Sequence, residues 1–348
     1  MKKRLALLLA AVIAFSVFAA GCTRGGDGGG TTGESDGTEG PNVTVRLTSD
    51  VSDTHASSIA MREVFIPRIE ELSGGKIKVE YYPNSALGSV PENIESMRIG
   101  DLEMCWASDA AIAGAVPEWN LIGLPFLWTS IDAAHDALDG DFGAELDRIL
   151  EEKTGIINLG SADVGFRNIT NSKKTIKSPA DLQGIKIRTM TNTLHVEYFT
   201  ALGAVPTPMS FSELFTALQQ KTVDAQENPI AMIWNNKLYE VQSYLTISEH
   251  IWSSAPIIIA KDFYEGLPED YQKIIADVTK ETVDYQRELI TQQNTDLVQN
   301  IADAGLEVTE LTAEEKAEFQ KIAEDTVYKI AVDEYGQEII DLALKYNK

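Results

Sequence analysis

The chain has 348 residues, and its 53 acidic and 29 basic side chains give a formal net charge of −24 at pH 7. This strong acidity argues against nucleic acid or an anionic lipid surface as a direct partner. The sequence has no paired C-x-x-C, H-E-x-x-H, G-x-S-x-G or phosphate-loop motif, and its four histidines show no ligand spacing. We therefore expect no metal, no cofactor and no catalytic centre of these classes.

The first residues, "MKKRLALLLAAVIAFSVFAAGC", combine a basic start, an apolar run and small residues before Cys22. The run is shorter than the roughly 20 residues of a spanning helix, so residues 1–22 are predicted to be an export signal. The ending "AAGC" resembles a bacterial lipobox, in which Cys22 becomes lipidated; cleavage that leaves Cys22 free is the alternative. Residues 23–42 are rich in glycine and are predicted to be a flexible tether. We expect an exported protein that is lipid-anchored to the outer face of the cell membrane, or periplasmic.

Strands alternate with helices in the first half of the remaining chain. Alternating or β-branched segments predict strands over 43–47, 76–82, 102–107 and 156–161. Apolar residues at helical spacing predict helices over 59–72, 91–100 and about 132–152. This alternation is typical of an α/β domain with a largely parallel sheet. Cys105 falls in the third strand, where a buried and inert thiol is expected.

The same rhythm continues in the second half. Strands are predicted at "GFRNIT" (165–170), "IKIRTM" (185–190), 255–263 and 306–311. Ser210 and Glu213 form a capping-box pattern at the start of an amphipathic helix, and another helix is predicted over roughly 230–243. From Pro268 to Gly305 the chain keeps helical spacing without an internal glycine or proline. We expect a helix of that length to bridge two domains.

Two of these strand segments each place one arginine, Arg167 and Arg188, among apolar and small residues. Both arginines are predicted to lie at the end of a strand, where α/β sheets usually bind their ligands. A guanidinium group offers a planar fork that matches a carboxylate with two parallel hydrogen bonds. Each arginine could instead form a structural ion pair with a carboxylate of the chain, and the residues alone leave both interpretations open.

Four segments between Gly165 and Pro229 carry a specific pattern: "GFR" before a strand, "SPADLQGIKIR", "GAVPTPMSFSEL" and "VDAQENP". Together with "GGKIKVEYYPNSALG" and "GLPFLW" upstream, they closely resemble the solute-binding proteins of tripartite ATP-independent periplasmic (TRAP) transporters, the DctP family. The resemblance runs from about Val43 to the end of the chain. It implies an α/β, two-lobed fold like that of type II periplasmic binding proteins, with a long helix bridging the lobes and a ligand cleft between them.

The same resemblance implies a division into lobes and a set of partners. Lobe I would comprise residues 43–164 plus about 254–293, and lobe II residues 165–253 plus about 294–348. The partners would be a small organic acid and the small and large membrane subunits of a TRAP transporter. Contact with the membrane itself would be through the lipid anchor only.

The matched motifs also imply roles for individual residues. Arg188 would hold the ligand carboxylate with two bonds, and Arg167 would add a second cationic contact. Asn228 would hydrogen-bond the ligand and Phe211 would pack over it; their alternatives are a turn before the next proline and core packing. Further ligand contacts are predicted for Ser108, Asp109, Glu92, His55 and Asn192. For His55, a helix cap is the alternative.

These implications lead to a receptor rather than an enzyme. A sugar acid such as a uronate is the expected ligand, because hydroxylated ligands need neutral polar groups around the arginines. A C4-dicarboxylate or a keto acid is the alternative ligand within the class. An extracellular enzyme acting on acidic saccharides and a structural lipoprotein are the alternatives from other classes. No acid–base pair is placed by a motif, which argues against the enzyme.

Overall fold

One sheet of nine strands runs through the part of the protein that the computed structural model describes, residues 40–347. The predicted export signal, Cys22 and the tether up to residue 39 lie outside the described residues. The strands are β1 Val43–Ser49, β2 Ile77–Tyr82, β3 Met104–Trp106, β4 Ile156–Asn171, β5 Lys186–Thr189, β6 Val205–Pro208, β7 Ala225–Asn228, β8 Tyr244–Ala260 and β9 Glu307–Glu310.

The sheet has two parallel ends joined by an antiparallel middle. Its strand order is β2-β1-β3-β8-β4-β7-β5-β6, with β9 paired to β8. Strands β1, β2 and β3 are parallel at one end, and β5, β6 and β7 are parallel at the other. The long strands β4 and β8 pair antiparallel between them. The prediction of a largely parallel sheet is therefore right for each end and wrong for the middle.

Strand β4 was predicted as two separate strands, "IINLGS" and "GFRNIT", and it is one strand of 16 residues. Its pairing with β8 shifts register at three places, between Asn158 and Gly160, Asp163 and Gly165, and Arg167 and Ile169. Such bulges break the two-residue alternation by which strands are recognised in a sequence. The position of Arg167 changes accordingly: it lies inside a long strand, next to a bulge, and not at a strand end.

The helices of the described residues cover the sheet and connect its strands. They are α1 Ala56–Ala60, α2 Ile66–Leu72, α3 Val90–Arg98, α4 Asp109–Ile112, α5 Ile131–Leu138, α6 Asp141–Thr154, α7 Thr193–Ala201, α8 Phe211–Gln219, α9 Ile230–Asn235, α10 Lys261–Glu265, α11 Glu269–Asp303, α12 Ala313–Asp325, α13 Val327–Tyr335 and α14 Gln337–Leu344. A π-helical segment, Met61–Phe65, joins α1 to α2, and 3-10 turns cover Pro117–Gly123, Pro179–Leu182 and Leu238–Val241.

Two predicted helices are interrupted. The helix expected around 132–152 is divided into α5 and α6 at Gly140, where a Cβ atom would lie 2.6 Å from the Asp136 carbonyl oxygen. The helix expected over 230–243 ends at Asn235, because Lys237 adopts a left-handed backbone with φ of 56°. The capping box of Ser210 and Glu213 is confirmed at the start of α8.

The long helix predicted after Pro268 is confirmed as α11, which has 35 residues. Its apolar side chains pack with those of β4 and β8 in one core cluster. Its polar side chains hydrogen-bond to β4 at the bulge between Asp163 and Gly165. The Gln286 amide accepts from Asp163 N at 3.0 Å and donates to Asp163 O at 2.7 Å. Asn294 Nδ2 donates to Val164 O at 3.1 Å. Helix α11 thus satisfies backbone groups of a strand segment whose ladder is locally interrupted.

The Cys105 side chain is fully buried in β3, as predicted, and burial raises the pKa of its thiol above the ordinary value. Across residues 40–347, no helix combines the length and the apolar character needed to cross a membrane. In the same residues, no group of His, Cys, Asp and Glu side chains is placed to hold a metal ion.

Candidate ligand-binding site

A cavity of about 820 Å³, including open solvent at its mouth, lies where the parallel strands end. Strands from both ends of the sheet contribute to its wall. The wall residues that end or follow β1, β2, β3, β5, β6 and β7 are, in that order, Asp50, Ser85, Ser108, Met190, Ser210 and Asn228. Parallel strands bring their carboxyl ends to one edge, which is where α/β sheets bind ligands. The cavity is therefore formed by two separate groups of strand ends that face one space.

Arg188, near the end of β5, reaches the cavity with an incompletely bonded guanidinium group. Its side chain is 2% exposed, while the neighbouring Ile187 points into the core. Arg188 Nε and Nη2 donate to the Met209 carbonyl oxygen at 3.1 and 2.9 Å. Nη1 is buried and has no hydrogen-bond partner within residues 40–347. Because an unpaired buried charged donor is costly, the Nη1 and Nη2 edge is suited to receive an anion.

The electrostatics of Arg188 agree with this geometry. Burial lowers the pKa of its guanidinium to about 10, and the charge of Arg167 acts in the same direction. Glu227 and Asp50 oppose this effect without contacting the group. Arg188 is thus a cation whose surroundings compensate its charge only in part. A ligand carboxylate would supply the missing compensation.

Arg167 also lines the cavity, but a carboxylate of the chain already binds it. Its Nε donates to Glu227 Oε2, and its Nη2 donates to Glu227 Oε1 at 2.9 Å and to Glu227 O at 2.6 Å. The two side chains are 2% and 0% exposed. Burial raises the pKa of Glu227, but the charge of Arg167 and the nearby imidazole of His250 outweigh it, and the pKa lies well below its ordinary value. Arg167 therefore forms a buried structural ion pair at the edge of the cavity.

Asn228 and Phe211 both line the cavity. Asn228 ends β7 in the cavity wall; its Oδ1 accepts from Arg167 Nη2 at 3.2 Å and its Nδ2 donates to Gln226 Oε1 at 2.5 Å. Phe211 is the first residue of α8, is half-buried, lines the cavity and also contacts two core clusters. Both residues thus have structural contacts in addition to a face on the cavity.

His55 combines the two roles that the sequence left open. Its Nδ1 accepts from Ser57 N at 3.2 Å and caps helix α1. The ring is buried in the cavity wall, and Nε2 has no hydrogen-bond partner among the described residues. Burial lowers the pKa of His55 to about 4, so the ring is neutral near pH 7. Because Nδ1 accepts a bond, the proton lies on Nε2, which is therefore a donor without a partner among the described residues.

Ser108 lines the cavity, but Asp109, Glu92 and Asn192 are not part of its wall. Asp109 is buried and accepts from Ala110 N at 2.7 Å and from Ser254 N at 3.0 Å. Glu92 is exposed and closes a capping box with Ser89 at the start of α3. Asn192 caps α7 by accepting from His195 N at 3.0 Å. The structure gives each of these three predicted ligand contacts a local structural role instead.

Sequence reasoning missed several wall residues. Among them Asp50 is charged, and Trp106 has the largest side chain. Asp50 follows β1 directly, and Trp106 ends β3 with a buried Nε1 that has no partner in the described part of the chain. The signal for both was present, because each stands at the carboxyl end of a strand that was correctly predicted. The same rule that singled out the arginines would have found them.

A cavity walled by strand ends from both halves of one sheet, with a buried arginine incompletely bonded inside it, is the site of a two-lobed solute-binding protein. The model of the DctP family, described as bacterial extracellular solute-binding protein, family 7, matches residues 48–334. The chain belongs to this family, and the resemblance to TRAP solute-binding proteins is confirmed.

Individual relatives agree with this assignment. The chain is 34% identical over 264 residues to the 2,3-diketo-L-gulonate-binding periplasmic protein YiaO of Escherichia coli, covering 76% of this chain and 80% of that protein. It is 32% identical over 285 residues to the C4-dicarboxylate-binding protein DctB of Bacillus subtilis, covering 82% of this chain and 81% of that protein. The crystal structure of the sugar acid binding protein DctPAm from Advenella mimigardefordensis in complex with galactonate matches with a TM-score of 0.84 and 34% identity, covering 88% of this chain and 99% of that one.

Proposed function

We propose that the protein is the extracytoplasmic receptor of a TRAP transporter and that it binds a small organic acid through Arg188. The observation that carries this proposal is the buried Arg188 Nη1, which has no hydrogen-bond partner in residues 40–347 although its side chain lines the cavity. A carboxylate bound there would accept two parallel hydrogen bonds from Nη1 and Nη2 of a buried side chain. Relatives named for a diketo-gulonate, galactonate and C4-dicarboxylates support an acid as the ligand.

A sugar acid such as a uronate or an aldonate is the ligand class that we favour. Besides Arg188, the cavity wall holds neutral polar groups, among them His55, Ser57, Ser85, Ser108, Thr191 and Asn228. Ligand hydroxyl groups that lose water on entering the cavity need such partners. A C4-dicarboxylate or a keto acid remains the second candidate, because the Bacillus subtilis relative is named for C4-dicarboxylates.

Ligand binding would close the two lobes, and the closed receptor would deliver the acid to the small and large membrane subunits. Closure needs a ligand that binds the closed form more tightly than the open form. An incompletely bonded cation between two groups of strand ends supplies that difference, since each hydrogen bond to the acid strengthens as water leaves. The receptor acts without catalysis in this proposal.

The test is a thermal-shift screen of the protein lacking residues 1–22. The panel contains a uronate, an aldonate, a C4-dicarboxylate and a keto acid, with a neutral hexose as the control. A ligand present at about 100 times its Kd should add about 2.7 kcal/mol to the free energy of unfolding. Recovery of the unchanged acid after incubation separates a receptor from an enzyme. A response to the neutral hexose alone would refute carboxylate recognition.

We also propose that Cys22 carries a lipid that keeps the receptor at the outer face of the membrane. A tethered receptor meets its membrane subunits at a raised effective concentration. Cys22→Ser should release the protein from cell membranes, as measured by fractionation, while the purified variant keeps its ligand affinity. A Cys22→Ser protein that stays firmly membrane-bound would rule out the lipid anchor.

A further inference from the structure

Asp50 is a carboxylate in a cavity otherwise suited to bind an anion. It follows β1 directly, is half-buried, and lines the same cavity as Arg188. It forms no ion pair with another residue of the range 40–347, and the only hydrogen bond to its side chain comes from its own backbone amide. Asp50 and Arg188 influence each other electrostatically without touching. The Asp50 carboxylate is therefore available to a ligand.

Before a ligand binds, Arg188 and Asp50 are the two charged side chains of the cavity wall that have no oppositely charged partner in contact among the described residues. Glu227 neutralises Arg167 in the wall, and His55 is uncharged because burial lowers its pKa to about 4. Arg188 and Asp50 remain, one positive and one negative. Burial raises the pKa of Asp50 to about 6, although its own amide and the charge of Arg188 work against this. At pH 7.5 the Asp50 side chain is mostly ionised.

An ionised acceptor in the same cavity as the arginine has different consequences for the two candidate ligand classes. A hydroxyl group near Asp50 donates a hydrogen bond to a charged acceptor, which is among the stronger kinds in proteins. A second carboxylate at that place meets a like charge in a partly dry space and is repelled. A site built to accept from a hydroxyl group also disfavours an analogue that lacks it.

Building on the proposed function, we infer that Asp50 is a specificity-determining residue that selects hydroxylated monocarboxylates over dicarboxylates. The ligand carboxylate binds Arg188, and a hydroxyl group farther along the ligand donates to the Asp50 carboxylate. This assigns the ligand to the sugar-acid class, with one carboxylate only.

The experiment compares calorimetric titrations of wild-type protein and Asp50→Asn at pH 7.5, with galactonate, galacturonate and succinate as the probes. Asp50→Asn keeps the size of the side chain and removes the charge. It should weaken binding of the better sugar acid by about tenfold and tighten binding of succinate by about tenfold, which shifts the preference by about a hundredfold. Asp53→Asn is the matched control, because Asp53 is exposed, pairs with Arg62 and is absent from the cavity wall. It should leave the ratio of the two affinities unchanged.

The possible outcomes separate this inference from the proposed function. If Asp50→Asn changes both affinities by the same factor, or changes neither, selection by Asp50 is refuted while the receptor function stands. If no acid of the panel binds wild-type protein, both proposals fail. Asp50→Ser serves as a second variant if Asp50→Asn does not fold, as judged by circular dichroism. It should shift the ratio in the same direction.

Discussion

Arg167 and Arg188 are two equally buried arginines of one cavity, and they differ in what binds them. Both are 2% exposed, and both were predicted to contact the ligand. Arg167 is held by both carboxylate oxygens of Glu227, whereas the hydrogen bonds of Arg188 within residues 40–347 all go to the Met209 carbonyl oxygen. A buried charge by itself therefore does not identify a ligand site. We propose that the absence of a compensating charge in contact with it among the described residues does.

This difference determines where each arginine contributes free energy. The partner of Arg167 is part of the chain, so removal of Arg167 is expected to lower the stability of the folded protein. The partner of Arg188 is the proposed ligand, so removal of Arg188 is expected to lower the affinity instead. The comparison can be tested by measuring both quantities for both residues.

Arg167→Ala should produce the largest effect, a loss of about 3–5 kcal/mol in the free energy of unfolding of the ligand-free protein. The substitution leaves the Glu227 carboxylate buried without its cation, and breaking one side of a buried pair typically costs this much. Urea unfolding followed by circular dichroism measures the loss.

The matched control is Arg148→Ala, which removes an arginine from exposed pairs with Glu145 and Glu152. That change should stay within about 0.5 kcal/mol. Adding Glu227→Gln to Arg167→Ala removes the orphaned charge and should restore part of the stability. An Arg167→Ala protein as stable as wild type would show that the pair is not structural.

Arg188→Ala should weaken binding of the acid by about two to three orders of magnitude, because the ligand carboxylate loses its fork while it is still desolvated. The ligand-free protein should lose less than about 2 kcal/mol of stability, since the substitution removes an incompletely bonded charge together with its two bonds to Met209 O. Calorimetric titration and melting of the ligand-free protein measure the two quantities.

Arg188→Lys keeps the positive charge and loses the planar fork, so it should also weaken binding. If both variants fold and Arg188→Ala binds the acid with near-native affinity, the assignment of Arg188 is wrong. In that event the same titration on Arg167→Ala/Glu227→Gln shows whether Arg167 is the ligand contact instead.

The sequence could predict where a helix begins or ends when nearby residues, such as a capping box or a proline, set that boundary. The capping box at Ser210 and the long helix from Glu269 to Asp303 are both present as predicted. The continuity of β4 was missed because its bulges interrupt the alternation. The bulge between Asp163 and Gly165 is hydrogen-bonded by Gln286 and Asn294 of α11, which come from a distant part of the chain. A tertiary contact of this kind leaves no local pattern.

The site was predictable in the same partial way. Motifs placed Arg188, Asn228 and Phe211 in the cavity wall, and the rule of strand ends would have added Asp50. The separate roles of the two arginines could not be predicted, since they depend on Glu227 lying beside Arg167 through the pairing of β4 with β7. Asp109 was misplaced for a related reason: its side chain turns back to Ser254 N in β8.

His55 unites in one side chain the two roles that the arginines divide, and it offers the smallest and most discriminating test. Its Nδ1 stabilises helix α1, and its Nε2 has no hydrogen-bond partner among the described residues although the residue lines the cavity. Asparagine is a good N-cap residue, so His55→Asn keeps an acceptor for Ser57 N and removes the outer donor; His55→Ala removes both. Both variants should weaken ligand binding by about five- to tenfold, the value of one neutral hydrogen bond.

Stability should distinguish the two His55 variants although affinity does not. His55→Ala should be less stable than His55→Asn by about 1 kcal/mol, which is the contribution of the cap.

The pH dependence gives an independent check. Burial lowers the pKa of His55 from 6.5 to about 4, so between these values the unfolded chain binds a proton that the native state does not. Wild-type protein therefore loses stability from this residue as the pH falls through that range. His55→Asn lacks this loss, so its free energy of unfolding relative to that of wild type should rise between pH 7 and pH 5 in urea unfolding. A difference that stays constant would show that His55 titrates normally in the folded protein, and wild-type affinity in His55→Asn would show that Nε2 does not contact the ligand.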